Sequence, residues 1–431
     1  MINISAFSFD NSRFLNILNR QSGIPHDIEK VVTDIIEDVR VNGDEALNRY
    51  MLQFDQIDLT KIDIQVSREE IENARQNIPP ALREAIAKAC DNIKAFHQPQ
   101  LPENCTVFGD NEVVLERRYR PLNRVAVTVP GENAPLLSTL YMNLIPALVA
   151  GVPDICIITK PKNGKIHDAL LFTADLLNIS TIYKISGAQG IAAMAYGTKR
   201  IKKADAIVGP GNIYTQAAKK RLTGTVKIDS LAGPSEIVII ADEMATAAFA
   251  AADLLSQAEH GTGFEASTAF CLSFPQAEQI KAEVIRLAEE NNLDSVIPAL
   301  GNYGDIFVVE DLETAVKAAN LIAPEHVELL VKDPETLVSA LTNAGAVFVG
   351  DHSPESVGDY LCGTNHILPT CGTARFSSGL NVMDFLRSYR VIRYTEQALR
   401  VNAERIKTLA DAEGMKAHAL AVDVRLRHEQ K

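Results

Sequence analysis

From Val113 onward, short apolar and β-branched runs alternate with longer stretches whose apolar positions recur every three to four residues. Runs of the first kind predict strands buried on both faces, and the stretches between them predict covering helices. VAVTVPG leads to LLSTLYMNLIPALVAG, ICIITKP to HDALLFTADLL, IYKISGAQG to IAAMAYG, and ADAIVGPGN to IYTQAAKKRL. Four strand-helix units in succession require crossover connections, and hence a parallel sheet wrapped by helices. A second series, SEIVIIAD, TAFCLSF, DIFVVED, HVELLV and AVFVG with helices between, predicts a second α/β domain.

The flanking segments differ. Residues 1–23 show little pattern beyond FLNIL and predict a small N-terminal arm. DIEKVVTDIIEDVRVNGDEALNRYMLQF has helical spacing broken at Asn42-Gly43, and SREEIENARQNIPPALREAIAKACDNIKAFH reads as two helices split by Pro79-Pro80. At the other end, NVMDFLRSYRVIRY and TEQALRVNAERIKTLADAEGMKAHALAVDVRLRH both read as helical. They are too amphipathic to stand alone, which predicts packing on a second subunit.

Composition narrows the partners more than the fold. With 431 residues, 46% hydrophobic and 23% charged, the chain has enough apolar mass for two or three domains. A formal charge of −13 argues against nucleic acid or an anionic membrane surface as partner. Six scattered cysteines without C-x-x-C spacing, several in apolar runs, fit buried thiols in a reducing compartment. No signal-peptide pattern and no long uncharged apolar run occurs, so the expectation is a cytoplasmic protein without a membrane span.

Three places could carry chemistry. Ala245 to Ala258 reads as an alanine-rich helix closed by Gly261, which sets Gln257 and His260 one turn apart on one face. Such a pair can hold one side of a metal ion, though a lone Q-x-x-H is ordinarily a solvated helix end. No G-x-G-x-x-G follows a strand. SGAQG at 186 and GPGN at 209 nevertheless each end a strand and open a helix, aiming free amides at any phosphate there. Glu325 and His326 form an adjacent acid-base pair after Pro324; a surface glutamate beside a half-buried histidine is the plain alternative.

The run IDSLAGPSE, its apolar continuation and the helix into DLLSQAEHG resemble the histidinol dehydrogenase family. So, in order, do GPGN, LIAPEHVELLV, AGAVFVG, GDYLCGTNHILPT, GTARFSSGL and EGMKAHA. The resemblance implies an α/β fold of two incomplete Rossmann-like domains with parallel sheets, one inserted in the other. Residues 1–23 would form the arm, 24–128 and 236–380 the main domain, 129–235 the inserted nucleotide-side domain, and 381–431 a helical domain reaching across a swapped homodimer. It also implies zinc and NAD as cofactors and oxidation of L-histidinol to L-histidine through an aldehyde and its hydrate. Gln257, His260, Asp359 and His418 match the family's zinc ligands, Glu325 its water-activating glutamate and His326 its general base. Ser235, His366 and Glu413 match substrate contacts alongside the ligands and His326. Glu413 and His418 would come from the neighbouring subunit. Gln189 and Asn212 match NAD contacts, and Thr128 stands where the family usually has tyrosine.

The chain departs from the family at Thr128 and Glu132, which replace the tyrosine and second glycine of a Y-x-P-G-G turn, and at Gly261 to Glu265 after His260. A carboxylate beside the pyrophosphate and a lost aromatic face predict weak NAD binding that tightens with salt. Rival functions are a paralogue oxidising another amino or sulfo alcohol, and a non-redox metal-binding protein or hydrolase on the same scaffold.

Overall fold

Strands from the second apolar series assemble into a six-stranded sheet in the order Asn3–Ala6, Gly304–Val308, Ala266–Cys271, Glu236–Ala241, His326–Leu330 and Ala346–Val349, every neighbouring pair parallel. Alternation decides which side chain meets which layer. Ile237, Ile239, Ala269 and Ile306 face helices Ala247–Ala258 and Phe274–Glu290, while Val238, Ile240, Phe270, Phe307 and Val327 face the layer containing Phe14 and helix Leu312–Ile322. Both faces are thus covered, and the strands read as unbroken apolar runs for that reason. The computed structural model describes residues 2–20, 23–130 and 136–428.

The first series builds a five-stranded parallel sheet ordered Thr181–Tyr183, Asp154–Thr159, Arg124–Val129, Ala206–Val208 and Lys227–Ile228. Strand Arg124–Val129 belongs to this sheet, as the alternation of the first series had it, although the family resemblance placed residues 24–128 in the other domain. So does helix His26–Asp55, whose Val32, Ile36, Leu47 and Met51 share a core with Ile158, Ile185 and Met194. Periodicity reveals an apolar face without revealing the face it meets. Gly43, at φ 54° and ψ −124°, breaks that helix at the Asn42-Gly43 position the sequence marked. Arg68–Asn77 and Pro80–His97 are likewise separate helices. The N-terminal residues form an edge strand, and Phe7 just after it meets Phe14, Phe270 and Phe307 edge to face.

These elements lie in one compact unit, Met1–Gln100 with Leu122–Phe385; a second comprises Leu101–Pro121 and Leu386–Lys431. In the second, Leu386–Arg393 pairs antiparallel with Val114–Pro121, which pairs with Cys105–Phe108. That corrects the helical reading of LRSYRVIR, where Tyr389, Val391 and Ile392 favour a strand and no helical stripe of apolar residues forms. Helices Glu396–Ala412 and Lys416–His428 follow and pack on each other. Their Leu409, Leu420 and Val424 are exposed, as is Met415 between them.

No described helix is long and apolar enough to cross a membrane. All six cysteines are free thiols; Cys90, Cys156 and Cys271 are buried, as expected of thiols in apolar runs, whereas Cys105 and Cys362 are exposed.

Candidate active site

Two cavities in the larger unit collect the chemistry, and Leu136 and Pro210 line both. One, of about 620 Å³, lies at the carboxyl ends of the five-stranded sheet and is lined by Thr128, Gln189 and Asn212 with Gly187, Gly211 and Lys160. This is where open parallel sheets take ligands. Gly187, at φ 68°, opens helix Gly187–Tyr196, and Asn212 caps helix Ile213–Leu222 by accepting from the Thr215 N–H at 3.1 Å. Gly209, at φ 104°, passes so close to strand Arg124–Val129 that a Cβ there would lie 2.2 Å from the Thr128 carbonyl oxygen. Glu132 and Gly131 lie outside the described residues.

The second cavity, of about 200 Å³, is lined by Ser235, His260, Glu325, His326, Asp359 and His366. Their elements explain the convergence. Helix Leu312–Ile322 stops at left-handed Ala323, so Pro324 and Glu325 lead directly into His326, the first residue of its strand. Ser235 precedes the adjacent strand, and helix Glu355–Tyr360 presents Glu355 and Asp359 one turn apart. Ligand atoms of His326, Glu355 and Asp359 all lie within 4.8 Å of one another.

Burial controls the protonation here. It lowers the His326 imidazole to about 4, more than Asp359 and the Glu236 carbonyl raise it, so the ring is neutral at physiological pH. Its Nδ1 is 3.2 Å from the Glu236 carbonyl oxygen, which only accepts; the proton therefore sits on Nδ1 and Nε2 is the free acceptor. Glu325 is pushed well above the usual carboxylate range by burial, then by Glu236, Glu355 and Asp359. Burial works to raise Asp359 as well, but His366, with Nδ1 3.6 Å away, and the imidazoles of His326 and His260 outweigh it.

Gln257 is wholly buried, with its amide oxygen 3.1 Å from His326 Nδ1 and the same atom 2.9 Å from Glu355 Oε1. Exchanging oxygen and nitrogen would let the amide donate to both. Burial, with Asp359 next, pushes Glu355 well above its usual range, so a protonated Glu355 can donate to the amide oxygen instead. That second arrangement keeps the proton on Nδ1 and agrees with the Glu236 carbonyl bond.

Beneath His326 on the same strand face, Glu328 is fully buried and is pushed up by burial and by Asp253. Its folded pKa lies above the unfolded one, so it contributes stability at low pH that is lost as pH rises above about 4.5, where only the unfolded chain ionises. Glu328→Gln removes that loss. The variant is expected to gain about 1–3 kcal/mol on wild type between pH 5 and pH 8; parallel stability curves in thermal unfolding would mean Glu328 is ionised in the fold.

The larger unit thus brings together Ser235, His260, Glu325, His326, Asp359 and His366 around one cavity, Gln257 behind it, and Thr128, Gln189 and Asn212 around the other. Glu413 and His418 lie in the second unit, exposed at the junction of its two helices. The sequence reading did not single out Glu236, Glu328 or Glu355. Each is a carboxylate in an otherwise apolar or structural run, and the available signals were the i, i+2 spacing from His326 and the i, i+4 spacing to Asp359.

Comparison with known proteins gives the family. The family model described as histidinol dehydrogenase matches residues 18–426. A histidinol dehydrogenase of Thermosynechococcus vestitus is 45% identical over 410 residues, 94% of each chain, and one of Clostridium acetobutylicum 40% identical over 425, 97% of each. The crystal structure of histidinol dehydrogenase from Elizabethkingia anophelis superposes with a TM-score of 0.92 at 36% identity, covering 100% of this chain and 99% of that one. With the match running through both cavities and both units, the chain belongs to the histidinol dehydrogenase family, enzymes of histidine biosynthesis.

Proposed function

We propose that the protein oxidises L-histidinol to L-histidine in two hydride transfers to NAD, with zinc in the smaller cavity. The observation that carries this reading is the neutral, buried His326 beside the Glu325 carboxyl, both lining a cavity that shares Leu136 and Pro210 with the larger one. In the larger cavity Thr128, Gln189 and Asn212 would hold NAD, with the free amides of the Gly187 and Gly211 turns toward its phosphates. Asp359 and His260 supply oxygen and nitrogen donors without thiolate, a set that fits an accessible zinc. Gln257, which would turn its amide from His326 and Glu355 toward the cavity, and His418 would supply the remaining positions. Zinc, when bound, supplies positive charge that anchors the substrate and favours loss of its hydroxyl proton, while NAD accepts the hydride.

Everything else falls to the chain. Nε2 of His326 takes the hydroxyl proton in the alcohol step and the hydrate proton in the aldehyde step. Glu325 takes a proton from the water that hydrates the aldehyde, a role suited to a carboxylate that burial makes more basic than usual. Ser235, His366 and Glu413 orient the substrate. We place Glu413 and His418 in a second copy of the chain, supported by the exposed apolar residues beside them, Leu409, Met415 and Leu420.

Chelation is expected to abolish turnover and zinc to restore it, with two NADH formed per histidinol consumed. Full activity in metal-free protein would remove zinc from the reading. A yield of one NADH would leave a simple alcohol dehydrogenase, and none would favour a non-redox protein.

A further inference from the structure

We propose that Glu236, charge-balanced by Arg20, is the positioning residue for the Glu325–His326 pair. The inference rests on the reading of that pair as acid-base groups. Glu236 opens the central strand Glu236–Ala241, and its two flanking peptide groups hold the two side chains. Its N–H donates to Glu325 Oε2 at 3.3 Å, and its carbonyl accepts from His326 Nδ1 at 3.2 Å. One residue thereby sets the direction of the carboxylate and the tautomer of the imidazole.

What fixes Glu236 is its own side chain. Oε1 accepts from the Cys371 N–H and lies 3.1 Å from Arg20 Nη2, with side-chain exposures of 4% for Arg20 and 3% for Glu236. The same Nη2 donates to the Pro234 carbonyl at 3.4 Å, and the guanidinium lies over the Tyr303 ring at 5.7 Å. Among the described residues, Arg20 Nε and Nη1 have no hydrogen-bond partner. A pair this dry gives little net stability, and removing one partner leaves an unpaired buried charge. Its specific consequence is geometric. The Arg20 and Cys371 contacts tether the strand start from the N-terminal segment and from the loop around residue 371, so a shift of Glu236 moves both Glu325 and His326.

The test uses zinc-loaded, full-length protein carrying Arg20→Met, Arg20→Lys, Glu236→Gln or the double change Arg20→Met/Glu236→Gln. In Arg20→Met, kcat for both oxidation steps is expected to fall about tenfold or more, the scale of sub-ångström misplacement. KM for histidinol and Kd for NAD should stay within about twofold, and Arg20→Lys should recover most of the rate. The ¹⁵N signal of the His326 Nδ1–H, assigned against His326→Asn, should shift in Arg20→Met and return in Arg20→Lys. Should Arg20→Met fail to fold, the double variant, with no buried charge left unpaired, should fold and show the same loss of kcat and the same shifted signal. Unchanged kcat in folded Arg20→Met and Glu236→Gln overturns the proposal. So does a loss that tracks the folded fraction alone with the Nδ1–H signal unmoved. Wild-type protein inert toward histidinol and NAD would instead overturn the functional reading, leaving the ¹⁵N comparison to decide the positioning role.

Discussion

Replacing His326 with asparagine is expected to slow both hydride transfers by at least ~100-fold, while Glu325→Gln slows the aldehyde step far more than the alcohol step. The asymmetry follows from what each step consumes. Both release a proton from an oxygen as hydride leaves, and a neutral imidazole with Nδ1 committed to the Glu236 carbonyl has Nε2 free to take it. Asparagine keeps a polar group at the position without accepting a proton. Only the second step needs water. A glutamine at 325 can still accept the Glu236 N–H but cannot deprotonate water, so alcohol oxidation should survive it. Single-turnover NADH formation, started separately from histidinol and from the amino aldehyde, resolves the two steps. Equal and mild losses in both variants would return the pair to a structural role.

Strands and helices of the two parallel sheets were legible because burial on both faces writes unbroken apolar runs such as SEIVIIAD and VAVTVPG, and Gly43 and Pro79-Pro80 mark real breaks. The partner of each layer was less so. Helix His26–Asp55 carries an ordinary apolar stripe that would suit either sheet, and only the alanine-rich surface of helix Gly187–Tyr196 shows why it settles there. Leu386–Arg393 misled because three arginines and a serine among eight residues dilute the period-2 signal of an edge strand.

Of the candidate site, residues inside long motifs were readable through resemblance, since Asp359 stands about a hundred residues from His260 and no local spacing joins them. Glu236 left no such trace, and Glu355 only its i, i+4 spacing to Asp359. Their effect comes from a peptide N–H, a carbonyl and a buried amide contact, none of which leaves a trace in residue type.

Mixing two inactive proteins, His326→Asn and His418→Asn, is expected to regenerate activity. If the C-terminal helices complete the site of a second copy, each heterodimer has one site with both defects and one with neither. Random exchange from an equal mixture makes half the dimers heterodimers with one intact site of two, so about a quarter of wild-type activity should appear. The exposed Leu409, Met415, Leu420 and Val424 motivate the test, because helices Glu396–Ala412 and Lys416–His428 leave an apolar surface that water disfavours. His418 and Glu413 sit on that same exposed stretch, so whatever covers it also receives them. Exchange can be proved independently with a size tag on one variant, followed by separation of the mixed species. Activity rising with the heterodimer fraction supports a shared site, whereas proven exchange without activity means that His418 serves the chain that carries it.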